Sequence, residues 1–182
     1  MERSAILELG RKELGELLAK GHAIDAAALD DTEYRGISLG LPNVIERLSW
    51  KTFQKTFHRD PATGALRGWN VRIEQRGLDA PSVPLRRKDG LPHTFGHYRV
   101  VPLGRTPQPC GPGLLIHYGL GGNRRLDPMS RLRDPIVALE AGSVERLLGW
   151  TYVDLGPRQV GTPSYFLLER EGKLSHVAHP QR

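Results

Sequence analysis

The stretch Gly149–Arg170, GWTYVDLGPRQVGTPSYFLLER, decides the fold. It reads as two short strands joined by a turn at Leu155-Gly156-Pro157-Arg158, because Gly and Pro interrupt the chain between two apolar runs. Successive strand side chains point to opposite faces, so Leu148, Trp150 and Tyr152 share one side of the first strand. Across the turn, either Tyr165 and Leu167 or Ser164, Phe166 and Leu168 must join them. The second strand is apolar on both faces. The hairpin is therefore expected to be buried twice, with one face in a barrel interior and the other under a helix. Its inward side chains either fill a plain core or line a pocket, and that choice separates a structural domain from a ligand carrier or an enzyme.

Working outward, residues 2–20 predict the one clear helix: Ile6, Leu7, Leu9, Leu14, Leu17 and Leu18 form an apolar stripe, and Gly21 stops it. Residues 33–39 read as a first strand, with Arg35, Ile37 and Leu39 on one face and Tyr34, Gly36 and Ser38 on the other. Asn43 with Glu46 suggests a cap for a short helix over Val44–Ser49, followed by a strand carrying Phe53 and Phe57 on one face. Asp-Pro and Thr-Gly in HRDPATGALRG mark a turn, after which Trp69, Val71 and Ile73 alternate with polar residues. Further strands are expected at 95–103, 114–120 and 136–140, with helical turns near Met129–Leu132 and Val144–Leu147. About eight short strands lie too close together for alternating β-α-β units, so the sheet is expected to be antiparallel. Closure into a barrel removes its exposed edges. An α+β open sheet with the helix packed on it is the alternative. The expected organisation is one domain over 1–182: a helix at 2–20, a barrel at 33–170 and a polar, frayed tail at 171–182.

The chain has 182 residues, enough to bury a core without disulfide or metal staples. Its one cysteine, Cys110, permits no internal disulfide and fits a reducing compartment. The charged N-terminus contains no apolar leader or span, so the expected location is the cytoplasm. The net charge of +6 raises an anionic partner, but the basic residues are mostly Arg spread along the chain, a pattern that GC-rich coding also produces.

Several phrases, EYRGISLGLP, FGHYRVVPL, LLIHYGLGGN, RDPIVALEAGS, LLGWTYVDLG and TPSYFLLER, together resemble a family of small uncharacterised bacterial proteins with the same order of motifs along nearly the whole chain. The resemblance implies a calycin-type, lipocalin-like barrel. It assigns no residue a role, because that family has no established activity and a fold hosts many functions.

Familiar catalytic patterns are weak here. The loop GLGGN (Gly119–Asn123), followed by Arg124 and Arg125, lacks the order of a phosphate-binding loop, and Gly in a tight turn explains it as well. His93 and His97 are four apart, about 13 Å along a strand, and no carboxylate cluster accompanies them, so no metal and no cofactor is expected. Cys110 has no base at a supporting spacing, and no Gly-x-Ser-x-Gly elbow occurs. The more informative set is polar residues inside strands: Arg35, Asn70, Arg72, His97, Arg99, His117 and Tyr152. Polar groups facing a barrel lumen must be paired, and a few of them among apolar walls are what a ligand site looks like.

The leading expectation is a cytoplasmic β-barrel binding a small apolar or amphipathic, lipid-like ligand, with Tyr34, Arg35, Asn70, His97, His117, Trp150 and Tyr152 as candidate ligand contacts. The alternative is a cofactor-independent isomerase or cyclase using His97, His117, Tyr152 and Arg99, with His as general base. A second alternative is a nucleic-acid or interaction protein using Arg86-Arg87-Lys88 and Arg124-Arg125, though no aromatic stripe lies beside those clusters.

Overall fold

The structure, a computed structural model, describes residues 1–40, 51–124 and 126–180. Eight strands run in chain order around a closed antiparallel barrel. They are β1 (Thr32–Leu39), β2 (Thr52–Arg59), β3 (Leu66–Val71), β4 (Thr94–Pro102), β5 (Leu114–His117), β6 (Leu132–Ala138), β7 (Arg146–Asp154) and β8 (Gln159–Lys173). Closure is made by β1 pairing with β8, through Ile37 opposite Leu167 and Leu39 opposite Tyr165. Among the described residues every strand of the barrel is paired on both sides, so the barrel has no free edge there.

Period-two alternation sorts the side chains into an inner and an outer core. Tyr34, Phe57, Leu66, Tyr98, Ile116, Ile136, Leu147, Phe166 and Leu168 belong to the inner cluster. Ile37, Leu115, Val137, Leu148, Trp150, Tyr165 and Leu167 belong to the outer one, where Ile6, Leu14 and Leu18 of the N-terminal helices cover them. The opening hairpin is thus buried on both faces. Tyr165 and Leu167 join Trp150 and Tyr152 outside, while Phe166 and Leu168 point inward.

The N-terminal helix is two helices, α1 (Arg3–Leu7) and α2 (Arg11–Ala19), instead of one over 2–20. The break falls at Gly10, whose extended backbone begins α2 and whose N–H donates to the Glu13 carboxylate at 2.7 Å. A charged group accepting from a free N-terminal N–H offsets the cost of interrupting the helix.

Three other boundaries differ from the sequence expectation. The fifth strand ends at His117, and Tyr118–Leu120 form a 3-10 turn. The sixth starts at Leu132 and runs through Pro135, where the β6–β7 pairing skips Asp134 and Pro135 for want of a proline N–H. No helical turn forms at Val144–Leu147, because Arg146 and Leu147 already pair with β8. The expected helix over Val44–Ser49 lies outside the described residues.

The C-terminal segment is also not frayed as far as it is described. Ser175 donates to Glu33 from both its N–H (2.8 Å) and its hydroxyl (2.7 Å). The Ala178 carbonyl accepts from Arg67 at 2.8 Å, and Ala178 packs on Trp69. A polar composition concealed this docking because backbone groups and two small side chains, Ser175 and Ala178, make it. No helix among the described residues is long and apolar enough to cross a membrane.

Candidate functional site

The two ends of the lumen are built differently. At one end, Ile24 and Leu29 pack under the strands with Tyr34, Phe57 and Val144. The Tyr34 hydroxyl donates to the Val144 carbonyl at 2.8 Å, and the Thr32 hydroxyl donates to the Leu29 carbonyl at 2.6 Å. This end is closed. At the other end, where the 72–93, 118–131 and 155–158 connections lie, the described residues leave a cavity of about 420 Å³ in the lumen.

The apolar wall of that cavity comes from Phe53, Phe95, Phe166, Met129 and Leu132. Strand glycines make room for two rings of this lining, Phe53 and Phe166, and for Tyr98 in the core behind them. Gly36 lies opposite Phe53, Gly68 opposite Tyr98, and Gly149 opposite Phe166. A β-carbon at these glycines would fall 2.3, 2.5 and 2.1 Å from the respective ring. Each ring therefore folds over the glycine of the neighbouring strand, which is the packing reason for glycine inside a strand.

These rings surround an amine. Lys55 points inward from β2, and its Nζ lies 4.9 Å from the Tyr98 ring centroid, 5.1 Å from Phe166, 5.2 Å from Tyr118 and 5.8 Å from Phe53. Its side chain is 2% exposed and that of Asp134 4%, with 3.3 Å between Nζ and Oδ2. Lys55 also donates to the Tyr118 hydroxyl at 2.7 Å, and that hydroxyl donates to Asp134 Oδ2 at 2.9 Å. Thr151 donates to Asp134 Oδ1 at 2.8 Å. Asn70 Nδ2 donates to the Gly96 carbonyl at 3.2 Å and reaches the Tyr118 oxygen at 3.4 Å. Lys55, Asn70, Tyr118, Asp134 and Thr151 all border the cavity.

Burial dominates the acid–base behaviour of this cluster. It pulls the Lys55 amine below the usual lysine range, against the opposing pull of Asp134. It pushes the Tyr118 phenol well above its ordinary value, with Asp134 and then Tyr98 adding to the effect. The Tyr98 phenol rises for the same two leading reasons, burial and Asp134. The site thus holds a proton-sharing network in which the phenols stay neutral and the amine gives up its proton more easily than a surface lysine.

Of the residues singled out from sequence, Asn70 alone borders this cavity. Tyr34 points inward but lies in the closed end, edge-on to Phe57 with 5.4 Å between ring centroids. The others face outward. Arg35 spans to the β3–β4 connection, donating to the Gly77 carbonyl at 2.7 Å and to Ser82 at 3.1 Å. Trp150 donates to the Thr162 carbonyl at 2.8 Å and lies 5.7 Å from the Tyr152 ring, in the outer core. His97 lies against Trp69, 5.9 Å between rings, in an outer cavity of about 300 Å³ that Arg67, Arg99 and His179 also line. Burial first, then the charges of Arg67 and His179, lower its pKa to about 4. His117 lies opposite Arg99 on β4 and Arg133 on β6, and burial followed by Arg133 lowers its pKa. Arg99 is exposed. His97, His117, Tyr152 and Arg99 therefore do not meet in the lumen.

The remaining motifs also have structural accounts. In the Gly-rich loop, Asn123 donates to the His97 and Tyr118 carbonyls (2.6 and 2.8 Å) and accepts from the His97 N–H at 2.9 Å, so its side chain braces the loop. Arg125 lies outside the described residues. Arg86 donates to the Gly90 carbonyl at 2.7 Å, and Arg87 pairs with Asp89 within the same turn. The Cys110 thiol is half-buried, and burial pushes it up, away from the reactive thiolate.

Lys55, Tyr118 and Asp134 escaped sequence reasoning, although one signal was present. Lys55 shares its strand face with Phe53 and Phe57 in TFQKTFH, and a lysine among aromatics on a buried face is rare without a partner. No family model, curated protein or solved structure matches this chain.

Proposed function

We propose that the barrel is a binding module for a small amphipathic molecule, whose apolar body enters the open end and whose polar head reaches the Lys55–Tyr118–Asp134 cluster. The observation that carries this reading is the position of that cluster at a cavity instead of under packed side chains. A volume of about 420 Å³ is in the range of small-ligand sites, roughly 300–1,000 Å³. The formal charges of Lys55 and Asp134 cancel, so a carboxylate head would arrive as an uncompensated charge in an apolar wall. An uncharged head, a carbonyl or hydroxyl, is the better fit than a fatty-acid carboxylate. The meander of eight strands with one end closed supports the calycin-type reading, and the single cysteine supports a reducing, cytoplasmic setting.

Titration with the fluorescent apolar dye N-phenylnaphthylamine tests the proposal. The dye is expected to brighten on binding and to be displaced by decanol far better than by decanoate. No binding, or displacement led by decanoate, would contradict the reading.

A further inference from the structure

We propose that Lys55 captures an aldehyde or ketone in the lumen as a reversible imine. The proposal rests on the lumen-binding reading above and names the reactive group of the ligand.

The geometry points to a nucleophile held in reserve. A lysine ammonium has three N–H bonds. Here Tyr118 and Asp134 take two, at 2.7 and 3.3 Å, while Lys55 lines the cavity and its Nζ lies among aromatic rings. A buried ion pair is weak as a stability device, since apolar side chains of similar volume often serve as well. A buried amine does, however, suit imine chemistry, because an apolar pocket favours its neutral, nucleophilic form. The titratable groups around it are Asp134, Tyr98 and Tyr118, and burial outweighs the carboxylate in setting its proton affinity. Among the six lysines of the chain, Lys12, Lys20, Lys51, Lys88 and Lys173 are exposed.

The chemistry balances without an oxidant or cofactor. The neutral Nζ attacks the carbonyl carbon, forming the C–N bond, and the carbonyl oxygen takes up a proton to give a carbinolamine. Tyr118 lies against Nζ and is joined to Asp134, so it can pass a proton to the departing oxygen and return to its resting state as the nitrogen loses one. The C–O bond breaks, one water leaves, and the sum is carbonyl plus amine giving imine plus water. Hydrolysis reverses each step and releases the ligand.

The test treats the full chain with naphthaldehyde, traps imines with cyanoborohydride and maps the labelled lysines by mass spectrometry. Lys55 is expected to label on the order of tenfold faster than the five surface lysines at neutral pH, as a depressed amine pKa predicts. Excess naphthylmethanol, which has the same body and no carbonyl, is expected to protect it. Lys55→Arg is expected to lose that label, and Tyr118→Phe to slow it. Labelling spread over the surface lysines without enrichment at Lys55, in a protein that still binds the dye, would overturn the imine and leave the lumen reading intact. Failure of both dye binding and Lys55 labelling would overturn the two together. The mapping uses the unaltered protein, so it does not depend on any variant folding.

Discussion

The two ends of one lumen solve opposite problems. The closed end is packed with Leu29, Tyr34, Phe57 and Leu168, and its polar atoms are satisfied by nearby backbone carbonyls. The open end holds a lysine and an aspartate, two of the costliest side chains to bury, beside unfilled space. The same eight strands build both. Close packing at one end supplies stability, and the other end can carry polar groups that contribute little to it. In small barrels this division lets a site form without a separate domain.

The comparison breaks most visibly at Phe57. Phe57→Ala removes a fully buried ring from the closed end, and the cost is expected to be about 4 kcal/mol in urea unfolding. Dye affinity in the variant that remains folded is expected to be unchanged, because the new space lies at the wrong end. A loss of affinity as large as the loss of stability would mean that the ends are not independent.

Asp134→Asn sharpens the contrast at the open end. It strands Lys55 without its carboxylate, and the expected cost is about 3 kcal/mol. Combining it instead as Lys55→Met with Asp134→Leu is expected to restore stability to the wild-type level or above, while abolishing capture of naphthaldehyde. Stability that stays low in the double variant would assign the pair a structural role.

How much of this was legible in the sequence follows from which residues alternate cleanly. The Gly149–Arg170 hairpin was readable because a Gly-Pro turn separates two apolar runs of strand length, and residues 69–73 because Trp69, Val71 and Ile73 repeat every second residue. The lumen was harder. In LLIHYGL both faces are apolar, so alternation could not say that Ile116 points inward and His117 outward. Asp134 sits in the charged run RLRD before a proline, which read as a connection, yet the strand passes through it. Lys55 lay in a stretch where helical and strand periods competed. The cluster joins residues 16 to 79 positions apart, from Tyr118–Asp134 to Lys55–Asp134, and only barrel closure brings them together.

A third prediction concerns the outer wall. His97 is held neutral by the fold, its pKa lowered from 6.5 to about 4. The unfolded chain binds more protons across that interval, so stability is fully present above pH 6.5 and falls as the pH drops toward 4. The loss amounts to about 3 kcal/mol at about 1.4 kcal/mol per unit. His97→Phe is expected to flatten this part of the pH–stability curve without altering dye binding. A curve unchanged by the substitution would place the acid sensitivity elsewhere.

The smallest effect is expected at Arg99, which is exposed on β4. Arg99→Ala is expected to change stability by less than about 0.5 kcal/mol and to leave both dye binding and aldehyde capture as they are. A marked loss of binding would return attention to the outer face of β4 and β5.

The central claim, that the open end is the ligand site, is tested most directly by a crystal structure with a bromine-substituted naphthylmethanol, using anomalous scattering to locate the bromine. The account predicts one bromine inside the barrel mouth, against Phe53, Phe166 and Met129, with the hydroxyl toward Lys55. Bromine in the outer cavity beside His97 and His179, with the lumen empty at saturating ligand, would contradict it.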